Sequence, residues 1–252
     1  MKKLIPAICM TLIAAVMLAS STFAWFSMNT QVTATGMQVV AKSDNTYLLI
    51  SSNYDTADAI QGENKTTTAL TVSDAEAKVY PCAPVTNSTE TSKLSGTAIV
   101  TGANASTVGN WYTASAGASD KADIDWNTAK VLTTFTGYVI QKTVYLTVAE
   151  GANAAKELTV TPTISQKGSG ADISAARILI TTSNGGFAIL KNGDSNVDIH
   201  GSTSNNITDA SVFTVNIYIY IDGNDSTIYT NNAANLTGVT IDLAFNVKAV
   251  TA

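Results

Sequence analysis

The stretch Val212–Ile221, VFTVNIYIYI, alternates without a break, with Phe213, Val215, Ile217, Ile219 and Ile221 on one parity. A repeat of two belongs to an extended chain, whose successive side chains point to opposite faces of a sheet. Val131–Val148 (VLTTFTGYVIQKTVYLTV) behaves in the same way and predicts a strand pair or one bent strand. Tyr138, Ile140, Val144, Leu146 and Val148 share one parity, and Gln141, Thr143, Tyr145 and Thr147 the other. Such alternation marks antiparallel strands with one apolar face.

Further segments carry the same sign. Leu158–Ser165 alternates, and Pro162 within it predicts an edge or a bulge, because proline donates no ladder hydrogen bond. Ile173–Thr182 is the next strand, Asn184-Gly185-Gly186 a tight turn, and Phe187–Leu190 its continuation. Tyr47–Ser52 is a short apolar run, Ala69–Val79 a strand or ragged edge, and Val239–Val250 the last strand. Eight or more antiparallel strands with almost no helical pattern predict an all-β fold. The expected architecture is an antiparallel β-sandwich of jelly-roll or immunoglobulin type with long inserted loops.

Residues 56–130 form the expected insertion. Thr86–Lys130 is poor in large aliphatics and rich in Ser, Thr, Ala, Gly and Asn, which reads as long loops rather than a separate core. Trp111, Tyr112 and Trp126 stand out within it. They are candidate ligand-facing aromatics, since aromatic faces stack on sugars, or else they pin the insertion to the sandwich.

The N-terminus has the order of a secretory signal. Lys2 and Lys3 precede an apolar run from Leu4 to Leu18, and Thr22-Phe23-Ala24 is a small-residue cleavage signal, predicting a cut between Ala24 and Trp25. An uncleaved anchor is the competing reading, because Leu4–Phe26 is long enough to span a bilayer. The expected organisation is a signal peptide over 1–24, a donor-strand segment over 25–35 and a β-sandwich domain over 36–252. Behind the cut, Phe26, Met28, Thr30, Val32 and Ala34 share a parity with Trp25 at the tip, and Gly36 interrupts the run. A terminal strand of this kind can pair with the sheet of a neighbour or begin its own.

Composition narrows the function. Only 13% of the 252 residues are charged, against about a quarter in ordinary domains. Net charge is -5, and loss of Lys2 and Lys3 with the signal takes it to -7. Arg177 is the single arginine. Nucleic-acid binding needs clustered Lys and Arg, so no nucleic-acid partner is expected. Cys9 lies in the signal, leaving Cys82 without an internal disulfide partner, as a small buried thiol or an intermolecular crosslink. His200 has no catalytic partner by spacing and reads as polar loop surface. No nucleophile elbow, phosphate loop or Cys/His metal spacing is present, so no enzyme activity, cofactor or metal is expected. Asp120, Asp123 and Asp125 near Trp126, and Asp222 with Asp225, are read as solvated turn carboxylates rather than calcium ligands or a hydrolase pair.

Ala24-Trp25-Phe26-Ser27, followed by Thr33-Ala34-Thr35-Gly36-Met37-Gln38-Val39, resembles the processing site and mature start of the TasA/camelysin family. Val215–Asp225 and Leu236–Phe245 are similar to that family's closing strands, and Thr136–Ser165 to its central hairpin. The family comprises secreted biofilm-matrix fibre proteins of Gram-positive bacteria, processed by a dedicated signal peptidase. The resemblance implies a jelly-roll subunit in the extracellular matrix or at the cell surface, without a cofactor. It implies homopolymerisation through Trp25–Ala34 as a donated strand, with other matrix or cell-surface proteins as further partners. The residues 56–130 and the Lys-poor surface depart from the family. Beside this stands the reading of a cell-surface adhesin or carbohydrate-binding β-sandwich module that uses Trp111, Tyr112 and Trp126.

Overall fold

The computed structural model describes residues 36–43, 47–71, 73, 76–113, 129–166, 174–202, 205–225, 234–235 and 239–250. The expected signal peptide, the segment 25–34 with all its candidate pairing residues, and Trp126 with Asp120, Asp123 and Asp125 lie outside them. Along the chain come β1 (Gly36–Ser43), β2 (Leu48–Ser51), helix α1 (Ala57–Glu63), β3 (Thr67–Thr71), β4 (Lys78–Val79) and β5 (Cys82–Pro84). Helix α2 (Ser88–Lys93), a 3-10 turn (Val108–Asn110), β6 (Trp111–Thr113), β7 (Lys130–Val131) and β8 (Ile140–Val148) follow. Then come β9 (Ala155–Gln166), β10 (Ala176–Thr182), β11 (Phe187–Leu190), β12 (Val197–Asp198), β13 (Phe213–Ile221), β14 (Ala234–Asn235) and β15 (Val239–Ala249).

Two five-stranded sheets dominate, ordered β12-β9-β15-β1-β3 and β11-β10-β13-β8-β2. We call them the first and the second sheet. One core runs between them. Val144, Leu146, Ile178, Ile180, Val215, Ile217 and Ile219 of the second sheet meet Leu158, Val160, Leu243 and Phe245 of the first. Full burial of each such side chain contributes about 1.5–3 kcal/mol. The parity predicted for β13 and β8 is the parity observed. The fold is all-β and the neighbouring strands run antiparallel with one exception: β1 lies parallel to β15, with Gln38 level with Asp242 and Ser43 level with Val247. Its other neighbour, β3, is antiparallel, with Met37 opposite Leu70.

Pro162 sits where its missing N–H costs nothing. β12 pairs with Thr159 and Val160, and Leu158 and Ala155 bond the segments at Ile199 and Ile207, so among the described residues that side of β9 is open at Pro162. On the open side Asn192 Oδ1 accepts from the Ile164 N–H at 3.0 Å. The Asn184-Gly185-Gly186 turn closes β10 onto β11 as predicted. Gly185 has φ +83°, and a Cβ on Gly186 would stand 1.8 Å from the Ile199 carbonyl oxygen, so only glycine fits there.

Residues 56–130 differ from the loop-rich insertion expected. β3 belongs to the first sheet. The region from Cys82 onward builds a third layer, the sheet β5-β6-β7, on the outer face of the second sheet. There Cys82, Val100, Trp111 and Leu132 bury Leu179, Tyr218 and Tyr220. The second sheet is therefore covered on both faces along part of its length. Parallel bridging of Cys82 with Asp222, and the Gly223 N–H donated to the Cys82 carbonyl at 3.0 Å, tie the layer to the end of β13. All described residues fall within one compact unit, Thr35–Ala252.

Candidate functional site

Gly36 opens β1 at the end of the first sheet where β15 begins, because the two strands are parallel. A parallel pair cannot be closed by a hairpin. Here the partners are the first and last strands described, so β1 is laid between β15 and β3 and does not grow out of a neighbouring turn. Among the described residues the edge strands of the two large sheets are short: β3 has five residues, β12 two, β2 four and β11 four. The strands they flank are longer, with twelve residues in β9, nine in β8 and seven in β10. Short edges discourage unspecific strand addition.

The candidate aromatics take a different place from the one expected. Trp111 and Tyr112 are both 0% exposed, so neither faces a ligand. Trp111 meets Tyr220 edge-on at 5.2 Å and Phe135 edge-on at 5.6 Å, and its Nε1–H donates to the Ala105 carbonyl at 2.9 Å. It is the centre of the third layer. The Tyr112 hydroxyl donates to Glu90 Oε1 at 3.3 Å and accepts from Asn224 Nδ2 at 2.8 Å. Burial pushes this phenol well above its ordinary range, with the Asn224 hydrogen bond pulling the other way. Glu90 also accepts from the Thr86 N–H, and the Glu90 N–H is capped by Asn87 Oδ1 at 3.0 Å, which fixes α2 beneath Tyr112.

Asp222 and Asp225 are not solvated turn residues. Arg177 reaches both, with Nε 3.6 Å from Asp222 Oδ2 and Nη2 3.3 Å from Asp225 Oδ2. Arg177 Nη1 donates to the Ser174 and Ala176 carbonyls at 2.6 and 3.0 Å. Burial raises the Asp222 carboxyl above its usual range, while the Asn224 N–H and the guanidinium pull it back. Two carboxylates thus hold the chain's own cation. Among the described residues no group of three or more His, Cys, Asp or Glu gathers around a common point.

Cys82 is fully buried, and its Sγ lies 3.6 Å from the Tyr138 carbonyl. Burial, with Asp222 adding to it, holds the thiol well above its ordinary range, which suits an inert packing residue rather than an intermolecular crosslink. His200, expected at the surface, is 2% exposed. Its Nδ1 accepts the Leu158 N–H at 3.2 Å, so Nε2 carries the proton it gives to the Asn205 carbonyl at 2.9 Å. Its ring stacks on Phe213 at 5.7 Å. It joins a loop to β9.

Polar strand residues passed over in the sequence come together elsewhere. Gln141, Asn216 and Thr181, from β8, β13 and β10, line a cleft on the outer face of the second sheet. A parity count gave them a face but no signal of a site. Comparison of the chain with protein-family models, with curated proteins and with solved structures returned no match.

Proposed function

We propose that the chain is a secreted structural protein whose copies assemble into extracellular fibres, each giving its N-terminal segment as a strand to the next. The observation that carries the reading is the parallel entry of β1 between β15 and β3. A strand laid in beside a strand far away in sequence can pair with a second copy as well as with its own sheet. The segment Trp25–Ala34 precedes it directly, with Gly36 at the joint as a hinge. Short sheet edges favour the same reading, since growth then depends on a dedicated strand.

Within this proposal the sandwich is a jelly roll. The chain passes directly from one large sheet to the other at β1 to β2, β2 to β3, β8 to β9, β9 to β10, β11 to β12 and β12 to β13, which suits that connectivity. The partners are further copies, other matrix or cell-surface proteins, and the signal peptidase during export. Ladder hydrogen bonds and apolar burial hold the donated strand, so no cofactor and no catalytic step enter.

Negative-stain microscopy tests the proposal. A chain beginning at Trp25 should form fibres, and one beginning at Gly36 should stay monomeric. Phe26→Asp with Met28→Asp should stop assembly and leave a folded monomer. Fibres of ordinary length from either altered chain would refute donation through Trp25–Ala34.

A further inference from the structure

Among the described residues the third layer covers only part of the outer face of the second sheet, and it stops where the strand residues become polar. Two rungs cross β8, β13 and β10 there. Gln141 is level with Tyr218, and Thr143 is level with Asn216, which is level with Thr181. Rungs on one face are about 7 Å apart, and neighbouring strands about 4.8 Å. Leu179, level with Tyr218, lies under the third layer, and Gln141, Tyr218, Asn216 and Thr181 leave a polar floor beside it. The segment Gly102–Ser106 and the turn Ser183–Gly185 border a half-open space of about 610 Å³. The two walls nearly touch: a Cβ on Gly102 would stand 3.0 Å from the Gly185 carbonyl oxygen. Cleft volumes of about 300–1,000 Å³ are those of small-ligand sites.

The chemistry of the lining is selective. Among the described residues no Asp, Glu, Lys, Arg or His contributes to it. The Asn216 Oδ1 accepts the Thr143 hydroxyl at 3.1 Å, so its amide N–H groups are not used in that bond. Thr181 lines the cleft beside the Tyr218 phenol. Gln141 and Ser106 are exposed. Amides and hydroxyls donate and accept at once, which matches the hydroxyl groups of a sugar. A phosphate or carboxylate would meet no cation here, and an ammonium group no anion. An apolar ligand would strand the amides without partners.

We propose that this cleft binds a neutral glycan, a chain of hexose or N-acetylhexosamine units, on a face of the subunit remote in sequence from its N-terminal strand. Because its groups stand on paired strands, little ordering is needed on binding. The site does not depend on polymerisation, so its failure would leave the fibre reading standing.

The test is calorimetric titration of the purified protein with neutral hexose oligomers, N-acetylhexosamine oligomers and uronic-acid oligomers of matched length. One or both neutral classes should bind, and the uronic acids should not. Gln141→Ala with Asn216→Ala should weaken binding by roughly 10- to 50-fold. Ala103→Trp, placed on an exposed wall position, should fill the cleft, abolish binding and leave the Tm unchanged. If the double variant lowers the Tm, Ala103→Trp alone decides. No neutral glycan bound at millimolar concentration, uronic acids bound as tightly, or binding untouched by Ala103→Trp would each overturn the assignment.

Discussion

Trp111→Ala separates a structural anchor from a sugar platform. A tryptophan side chain buries about 200–250 Å², worth about 5–6 kcal/mol at about 25 cal/mol per Å². Compaction of the unfolded chain trims that by about 10–40%, which leaves about 3–5 kcal/mol, the usual range for removing a buried aromatic. The side chain is 0% exposed and its indole holds three rings, Tyr220, Phe135 and Tyr218, so the full loss is expected. Trp111→Phe should cost about 1–2 kcal/mol, because the Ala105 carbonyl loses its donor. Since Trp111 packs on the outer face of the second sheet, the damage should concentrate in the third layer. Urea unfolding would measure the total, and hydrogen exchange would locate it. Amides of β5, β6 and β7 should lose protection before those of β9 and β15. A loss below about 1 kcal/mol would refute the burial argument, and equal loss of protection in β9 and β15 would refute the layering.

Gly186→Ala should destabilise by about 3 kcal/mol or more in a thermal melt, because the new methyl meets the backbone Ile199 oxygen at 1.8 Å and neither can yield cheaply. A loss under 1 kcal/mol would sink that packing argument. Tyr112 and Tyr220 have phenols raised by burial, and Tyr218 is shifted in the same direction. Their unfolded counterparts ionise near pH 10, so the unfolded state loses protons first. Stability is full below pH 10 and falls above it, by about 1.4 kcal/mol per pH unit for each phenol kept protonated. Absorbance at alkaline pH should show phenols that ionise only as the fold is lost, and Tyr220→Phe should shallow the decline. A titration complete before unfolding would contradict this. Cys82 should ignore a thiol reagent in the native state and react in denaturant, and prompt native labelling would show that β5 is not packed as described.

The strand pattern of β13 and β8 was legible because a period of two does not depend on neighbours. The same pattern cannot say whether the other face is covered. Tyr218 and Tyr220 alternate with Ile217, Ile219 and Ile221, yet both faces are buried, because a layer supplied from about a hundred residues earlier lies on the tyrosines. That layer has few aliphatics and one central tryptophan, so its composition resembles a loop. The parallel register of β1 was hidden for a similar reason: pairing between the two ends of a chain leaves no local mark. Arg177 could not be matched to Asp222 and Asp225 from sequence, since their meeting depends on β10 lying beside β13. The cleft was invisible because Gln141, Asn216 and Thr181 are ordinary strand residues until the sheet aligns them.

The parallel entry of β1 has a mechanical consequence. A pull on the chain ahead of Gly36, directed along β1, loads its ladders in shear rather than peeling them one bond at a time. Registered pairs with β15 from Gln38 to Ser43, and with β3 from Gly36 to Val40, would share that force. The N-terminal end is therefore anchored where tension is distributed, so a thread made of such subunits would resist stretching better than the modest length of any single strand suggests.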